Sequence, residues 1–580
     1  MSATRVIFVL VAMLGIGCDD TTPGPDGDVD SGDGDGDGDV DADSDGDGDA
    51  DGDADADADA DQPRPVDDAV IVEADLPTSL ACGQSFEASV TVRNTGTATW
   101  TRAAEYKLGA VGDDDPLHDG DPRVWLPEEA SVGPGESWTF AVVLTAPSTP
   151  GTYTTDWQMV HEAVGWFGEI ARSDVNVACE GPVDATTLSG KNMFGYQGWF
   201  ACPGDGSTVD RWVHWFRSQT PTAENATVDF WPDVTELGPE ERCDTSMTVP
   251  GGGSAQVYSA WNEATVVRHF AWMEDHGLDG VMLQRFISEL GDPRFLELRD
   301  QVTRNVRAGA EAHGRVFNIM YDISGHPGDG LVEAIESDWT HLVDDLGVTG
   351  SDRYLHHEGR PLVAIWGLGF ADRPGTPAQA AALIEWFHGG APARLQATVM
   401  GGVPTHWRTL SGDSSTDPDW AAVYRSWDVI SPWTVGRYAD DAGADAFRRD
   451  LIEPDMAEAA TVGADYLPVI FPGFSWYNLN DGPLNQIPRN GGRFYWRQVY
   501  NAVDAGAAMT YTAMFDEVDE GTAMFMLAPT ASALPVVGSF VPLDIAGEAL
   551  PPDWYLSLAG EATRVLRGET PLTEARPIDP

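Results

Sequence analysis

The chain has 580 residues, 42% of them hydrophobic, and carries 94 acidic against 33 basic side chains for a net charge of -61. Such a length exceeds one ordinary domain, and the apolar share is enough for a large core. The charge argues against nucleic acid and anionic lipid surfaces as binding partners.

In chain order, the first 18 residues hold Arg5, an apolar run from Val6 to Leu14, small residues and Cys18. This arrangement resembles a bacterial lipoprotein signal, which implies Cys18 as the lipidated residue after cleavage. The run is too short to span a bilayer. The expectation is a lipid-anchored protein of the cell envelope, touching the membrane only through its anchor, with ordinary secretion as the alternative. Residues 19–65 are nearly all Asp, Gly and Ala at first, as in Asp33-Gly34-Asp35-Gly36-Asp37. Such a segment has nothing to bury and reads as a disordered acidic linker. Its Asp-x-Asp repeats lack the closing Glu of a calcium loop.

Residues 66–180 show short alternating apolar runs between turn residues, which implies an antiparallel β-sandwich of the Ig-like kind. Ser85 to Arg93 alternates and stops at Asn94-Thr95-Gly96, and Ser137 to Leu144 follows the turn Gly133-Pro134-Gly135. The stretch Asn94-Thr95-Gly96-Thr97-Ala98-Thr99-Trp100, with Pro150-Gly151-Thr152-Tyr153 and Trp157-Gln158-Met159, resembles the tryptophan-containing Ig-like domain of selective-autophagy receptors. The resemblance implies a spacer or binding module, its Trp residues packing the core. Cys82 and Cys179 lie near the two ends of this segment, while Cys202 and Cys243 bracket the next. Two local disulfides are the economical pairing for an oxidising compartment. No cysteine spacing matches a zinc site, and no motif asks for a cofactor.

From 184 to 572 the pattern changes to strand followed by helix, repeated eight times. Strands are predicted at 193–200, 280–286, 316–323, 362–370, 396–403, 429–435, 466–474 and 507–515. Helices are predicted at 263–276, 294–313, 331–346, 377–388, 420–427, 444–462, 493–505 and 553–567. Glycines such as Gly277, Gly314 and Gly463 stop several of the helices, and Thr376-Pro377 starts one. Eight alternations with near-continuous apolar strands predict a closed (β/α)8 barrel of the TIM type, with residues 201–261 inserted after the first strand.

Such barrels gather their chemistry at the carboxyl ends of the strands. The predicted ends carry Tyr196, Gln284, Arg285, Asp322, Trp366, Trp433, Arg437 and Trp476, which are the candidate substrate contacts. Arg285 and Arg437 have an equal alternative as members of structural ion pairs with Asp322 or Asp516. The eighth end carries Asp516-Glu517-Val518-Asp519-Glu520-Gly521-Thr522. Two glutamates three residues apart on a helical turn share one face. Burial beside apolar strand residues raises one pKa and leaves the other carboxylate ionised, as an acid and base pair on a glycosidic bond requires. Glu517 and Glu520 are therefore the candidate catalytic residues.

The segment 515–522 is similar to the catalytic Asn-Glu-Trp-x-Glu-Gly-Thr segment of glycoside hydrolase family 99. Gly195-Tyr196-Gln197-Gly198-Trp199-Phe200 looks like that family's aromatic first strand. The region as a whole resembles bacterial proteins of the family 71/99-like kind, through Asp229-Phe230-Trp231-Pro232-Asp233, Val403-Pro404-Thr405-His406-Trp407-Arg408 and Pro472-Gly473-Phe474-Ser475-Trp476. The resemblance implies a retaining glycosidase acting on an α-mannoside-type or related α-linked polysaccharide, or an α-1,3-glucanase of the family 71 type. It implies that Glu517 is the base drawing the proton from the sugar 2-hydroxyl and Glu520 the general acid, then base. Asp516 and Val518 stand where family 99 has Asn and Trp, which leaves the sugar open. Two alternatives remain, a surface lipoprotein that binds glycan without cutting it and an inverting hydrolase.

Overall fold

The computed structural model describes residues 65–118, 120–147, 149, 151–178 and 181–580. The signal segment with Cys18, almost all of the acidic linker, and Cys179 lie outside the described residues.

The N-terminal unit is a β-sandwich of two main sheets. One is antiparallel and joins Ala69–Asp75, Ser85–Asn94 and Ser137–Thr145. The other orders Ser79–Ala81, Gly165–Ala178, Gly151–His161, Tyr106–Ala110 and Arg123–Trp125. The alternation read from sequence is visible as burial: on Ser137–Thr145, Phe140, Val142 and Leu144 turn inward while their neighbours face solvent. Trp100 and Trp157 are wholly buried between the sheets and pack the core. The turn after Ser85–Asn94 is held by Asn94, whose Nδ2 donates to the carbonyls of Ala98 at 2.7 Å and Val132 at 3.0 Å. Cys82 is disulfide-bonded.

The C-terminal unit is a parallel barrel-like sheet surrounded by helices. Its strands run Asn192–Tyr196, Gly280–Phe286, Val316–Asp322, Arg360–Trp366, Thr398–Val403 and Val429–Pro432 in spatial as well as chain order. The seventh stave is split. Asp465–Tyr466 pairs with the sixth strand and Val469–Ile470 with the eighth, Thr510–Thr512, which in turn pairs with the first. Pro468, between the two halves, has no N–H to donate to a ladder, yet its carbonyl still accepts from Tyr511 at 3.0 Å.

Side-chain alternation sorts the strands into two layers. Met193, Met282, Met320, Ala364, Met400 and Tyr511 fill the barrel interior. Phe194, Val281, Leu283, Ile319, Val363, Ile365 and Val399 face the helices. Several predicted helices are shorter or broken. The one expected over 377–388 is Pro377–Glu385 followed by a wider turn, Trp386–Gly390, and the one expected over 444–462 is Asp441–Phe447 and Glu453–Val462 joined by a similar turn. Thr376 caps its helix in both directions: its hydroxyl accepts from the Gln379 amide at 3.2 Å, and Gln379 Oε1 accepts from the Thr376 amide at 3.0 Å.

The insertion after the first strand contains a hairpin, Arg242–Thr248 with Ser254–Tyr258. The disulfide Cys202–Cys243 ties its start to that hairpin, with 6.4 Å between the Cα atoms. Among the described residues, no helix is long and apolar enough to cross a membrane.

Candidate active site

The first strand ends earlier than its apolar run, because the backbone turns at Gly198, whose φ is +55°. The two amides freed there are taken by the eighth strand end. Gln197 N–H donates to Asp516 Oδ1 at 2.7 Å and Gly198 N–H to Asp516 Oδ2 at 2.9 Å. Asp516 is wholly buried, and burial pushes its carboxyl up to about 7 against the two amide bonds. It is a clamp between the neighbouring first and eighth strands.

Glu517 lies beside this clamp. Its Oε1 accepts a hydrogen bond from the Gln197 side-chain amide and its Oε2 accepts from Thr522 Oγ1 at 2.6 Å. Burial, followed by the charges of Glu520 and Asp519, drives its pKa upward, while those two donors oppose the rise. Glu520 has no such donors among its electrostatic influences. Burial first, then Asp519 and Asp322, push it up to about 8, and Arg373 alone pulls the other way. The two acids are thereby unequal. The donors on Glu517 oppose its rise without cancelling it, so burial and mutual repulsion raise both carboxyls rather than leaving one ionised, and the difference between the two acids lies in their donors.

A third acid stands behind them. Asp519 is buried, pushed up to about 8 mainly by burial, and its Oδ2 lies 3.3 Å from His214 Nδ1. His214 belongs to the insertion and stacks on Trp199, ring centroids 3.8 Å apart and planes at 5°. Burial holds the His214 imidazole down at about 3, so it is neutral.

Glu517 and Glu520 line a cleft of about 220 Å³ at the carboxyl ends of the strands. Trp199, Phe286, Trp366, Phe370, Trp433 and Phe474 supply its aromatic surface. Trp366 and Trp433 meet edge to face, centroids 5.3 Å apart at 72°. At the far end Asp413 organises a polar corner: it accepts from Arg437 Nη2 at 2.6 Å and from the Thr405 amide at 3.0 Å, with His406 Nδ1 at 3.0 Å. Burial resists the charge on Asp413, but these bonds and the Arg437 cation hold its carboxyl below the usual range. Asp322, on the cleft floor, accepts from the Ser324 amide at 2.7 Å and is pushed up by burial.

Of the residues expected at the site, Glu517, Glu520, Gln284, Asp322, Trp366, Trp433 and Arg437 line this one cleft. Tyr196, Arg285 and Trp476 do not. Tyr196 faces the helix layer, where its hydroxyl lies 2.8 Å from His269 Nδ1. Arg285 follows Gln284 and so points to the opposite face; it is 1% exposed and held by Asp338 and Asp300 at 2.6 and 2.8 Å, not by Asp322 or Asp516. Trp476 packs on Phe474, centroids 5.8 Å apart, outside the lining. The cleft also uses Gln197, Trp199, Arg373, His406 and Asp413. Period-two alternation from Met193 puts Gln197 inward and Tyr196 outward, a signal present in the sequence. Arg373 and Asp413 sit in loops, where no periodicity points to them.

Residues 76–177 match the family model described as the Ig-like domain from next to BRCA1 gene. No curated protein matches the chain. Among solved structures, the chain is similar to the GH99 endo-alpha-mannosidase from Bacteroides thetaiotaomicron at 14% identity, over 66% of this chain and 99% of that one, with a TM-score of 0.48. It is similar to a family 123 glycoside hydrolase from Clostridium perfringens at 8% identity, over 84% of this chain and 83% of that one, with a TM-score of 0.33. A Bacteroides ovatus GH5 xyloglucanase matches at 9% identity, over 83% and 98% of the two chains, with a TM-score of 0.30.

Proposed function

We propose that the barrel is an O-glycosyl hydrolase that cuts an α-linked polysaccharide or oligosaccharide with retention of configuration, without a cofactor. The observation that carries this reading is a pair of glutamates, Glu517 buried and Glu520 half-buried, opening together on one aromatic cleft. Glu517, stabilised as a carboxylate by Gln197 and Thr522, acts as the base toward the sugar 2-hydroxyl. That oxygen attacks the anomeric carbon, and the C–O bond to the leaving group breaks. Glu520 gives its proton to the departing oxygen; it then takes one from the water that attacks the anomeric carbon, the bond from that carbon to the 2-oxygen breaks, and Glu517 returns its proton to the 2-oxygen. The half-buried rings of Trp366 and Trp433 suit the C–H faces of sugar rings, while Trp199 is already stacked on His214 and Phe286. An α-mannoside-type linkage follows from the sequence resemblance; the Asp516 and Val518 departures leave related sugars, including α-1,3-glucan, within the reading. The lipoprotein-like signal supports a place on the cell envelope with the enzyme held off the membrane by its acidic linker.

The test is release of reducing sugar from a panel of α-mannans, α-1,3-glucans and fucose- or xylose-containing polymers by the purified protein, with Glu517→Gln and Glu520→Gln as controls. Turnover lost in both variants supports the assignment. Turnover that survives both removes it, and tight glycan binding with no release by the wild type makes the barrel a binding protein. The anomer of the first product, followed by NMR, separates retention from inversion.

A further inference from the structure

A second cavity, sharing no lining residue with the cleft, sits against the back of the acid loop and is lined by Phe230, Asn485, Arg489, Asn490, Leu543 and their neighbours. It leaves room for about one water-sized particle. Arg489 is 4% exposed. Its guanidinium stacks between Phe230 and Tyr555, 4.3 and 4.7 Å from the ring centroids. Its Nη2 donates to the carbonyls of Gly521 at 2.9 Å and Ala523 at 2.6 Å, immediately after Glu520. Nε and Nη1 are buried and meet no acceptor in hydrogen-bonding geometry. The Tyr555 hydroxyl is its polar partner, a neutral group pushed up to about 12 by burial, so that contact supplies no charge.

Two N–H groups of a buried cation without an anion are costly. The surroundings do not supply that anion. The nearby carboxylate Glu548 is already shared by Arg576 at 2.7 Å and Arg493 at 3.0 Å, and among the described residues no carboxylate is in ion-pair contact with Arg489. The helix Arg493–Asp504 starts at the same place, its Gly492 cap offering no side-chain bond and its first turn holding no acid, so its positive end adds to the field. Burial lowers the Arg489 pKa to about 10, which leaves it charged at neutral pH.

We infer that this cavity is a binding site for a small monovalent anion of the chloride type, held by Arg489 Nε and Nη1 beside Asn485, Asn490 and the start of the helix. The anion completes the coordination of the side chain that holds the acid loop from behind, so occupancy stabilises the barrel. In a chain of net charge -61 this is a local excess of guanidinium groups, and the cavity size selects an ion over a sugar or a phosphate ester.

The experiment is thermal unfolding of the full chain in sodium chloride against sodium gluconate at fixed ionic strength, for wild type, Arg489→Gln and Asn490→Asp. Asn490 is exposed with φ of +50°, a conformation aspartate tolerates, so that variant sets a fixed carboxylate at the cavity without disturbing the core. The wild type should gain about 2 °C with chloride in a saturable way, and both variants should lose that response, Asn490→Asp being the more stable in gluconate. Identical wild-type midpoints in the two salts overturn the inference. So does an undiminished chloride response in Asn490→Asp, which stands as the test even if Arg489→Gln does not fold. None of these readouts requires glycosidase activity.

Discussion

The sandwich and the barrel mouth handle buried charge in opposite ways. In the sandwich Lys107 is 2% exposed, yet its ammonium reaches Glu105 at 3.2 Å and Glu162 at 3.0 Å and lies over the Trp125 ring. Each buried charge there has its partner. At the mouth Asp516, Glu517, Asp519 and Glu520 crowd within five residues, every one raised by burial, and Asp519 Oδ1 has no hydrogen-bond partner. A fold that pairs its buried charges in one unit and crowds acids in the other concentrates the conflict where the proposed reaction calls for proton transfer.

The largest effect expected from this contrast is at the acid pair. Glu517→Gln and Glu520→Gln should each lower turnover by about 10²–10⁴-fold, measured by reducing-sugar release from protein shown to be folded. Next comes a pair of changes that should cost stability and leave the cleft intact. Trp157→Ala, in the sandwich core, should cost about 3–5 kcal/mol, and Arg285→Ala, which strands Asp300 and Asp338, about 3–5 kcal/mol, both read by denaturant unfolding. A change in KM for Arg285→Ala in the remaining folded protein would put that side chain back in contact with substrate.

The fate of Arg285 shows where sequence stops being informative. Eight strand and helix alternations, the Thr376 capping box and the sandwich periodicity are local signals, and the architecture follows from them. Residue placement at a barrel end depends on which way the last side chains of each strand point. Tyr196 and Arg285 are one step out of register with Gln197 and Gln284, and the alternation that separates them was readable. Trp476 and the loop residues Arg373 and Asp413 were not, because loops carry no period. That burial raises the carboxyls of Glu517 and Glu520 was open to argument from sequence, but the donors that mark Glu517 off from Glu520, Gln197 and Thr522, are brought together only by the folded chain.

A smaller effect is expected on the aromatic wall. Trp433→Ala should raise KM about tenfold with kcat held, since stacking is worth about 0.5–1.5 kcal/mol beyond its buried area, and steady-state kinetics on the best polymer would show it. A separate readout, of stability and not of turnover, is a slope with pH. Glu520 binds its proton more tightly folded, at about 8, than unfolded, near the ordinary 4.5. Between those values the native state holds more protons than the unfolded state, so this contribution to stability is fully present below about 4.5, falls as pH rises from about 5 to 8 and levels off above. Glu520→Gln should flatten that slope in urea unfolding measured at several pH values.

The division of labour between the glutamates is tested most directly by leaving-group dependence. On an α-glycoside with a good aryl leaving group, which departs without protonation, Glu520→Gln should keep formation of the first product near the wild-type rate while Glu517→Gln loses it; on the polysaccharide both should fail. Equal losses by the two variants on both substrates, or retention by Glu517→Gln on the aryl glycoside, would contradict the account.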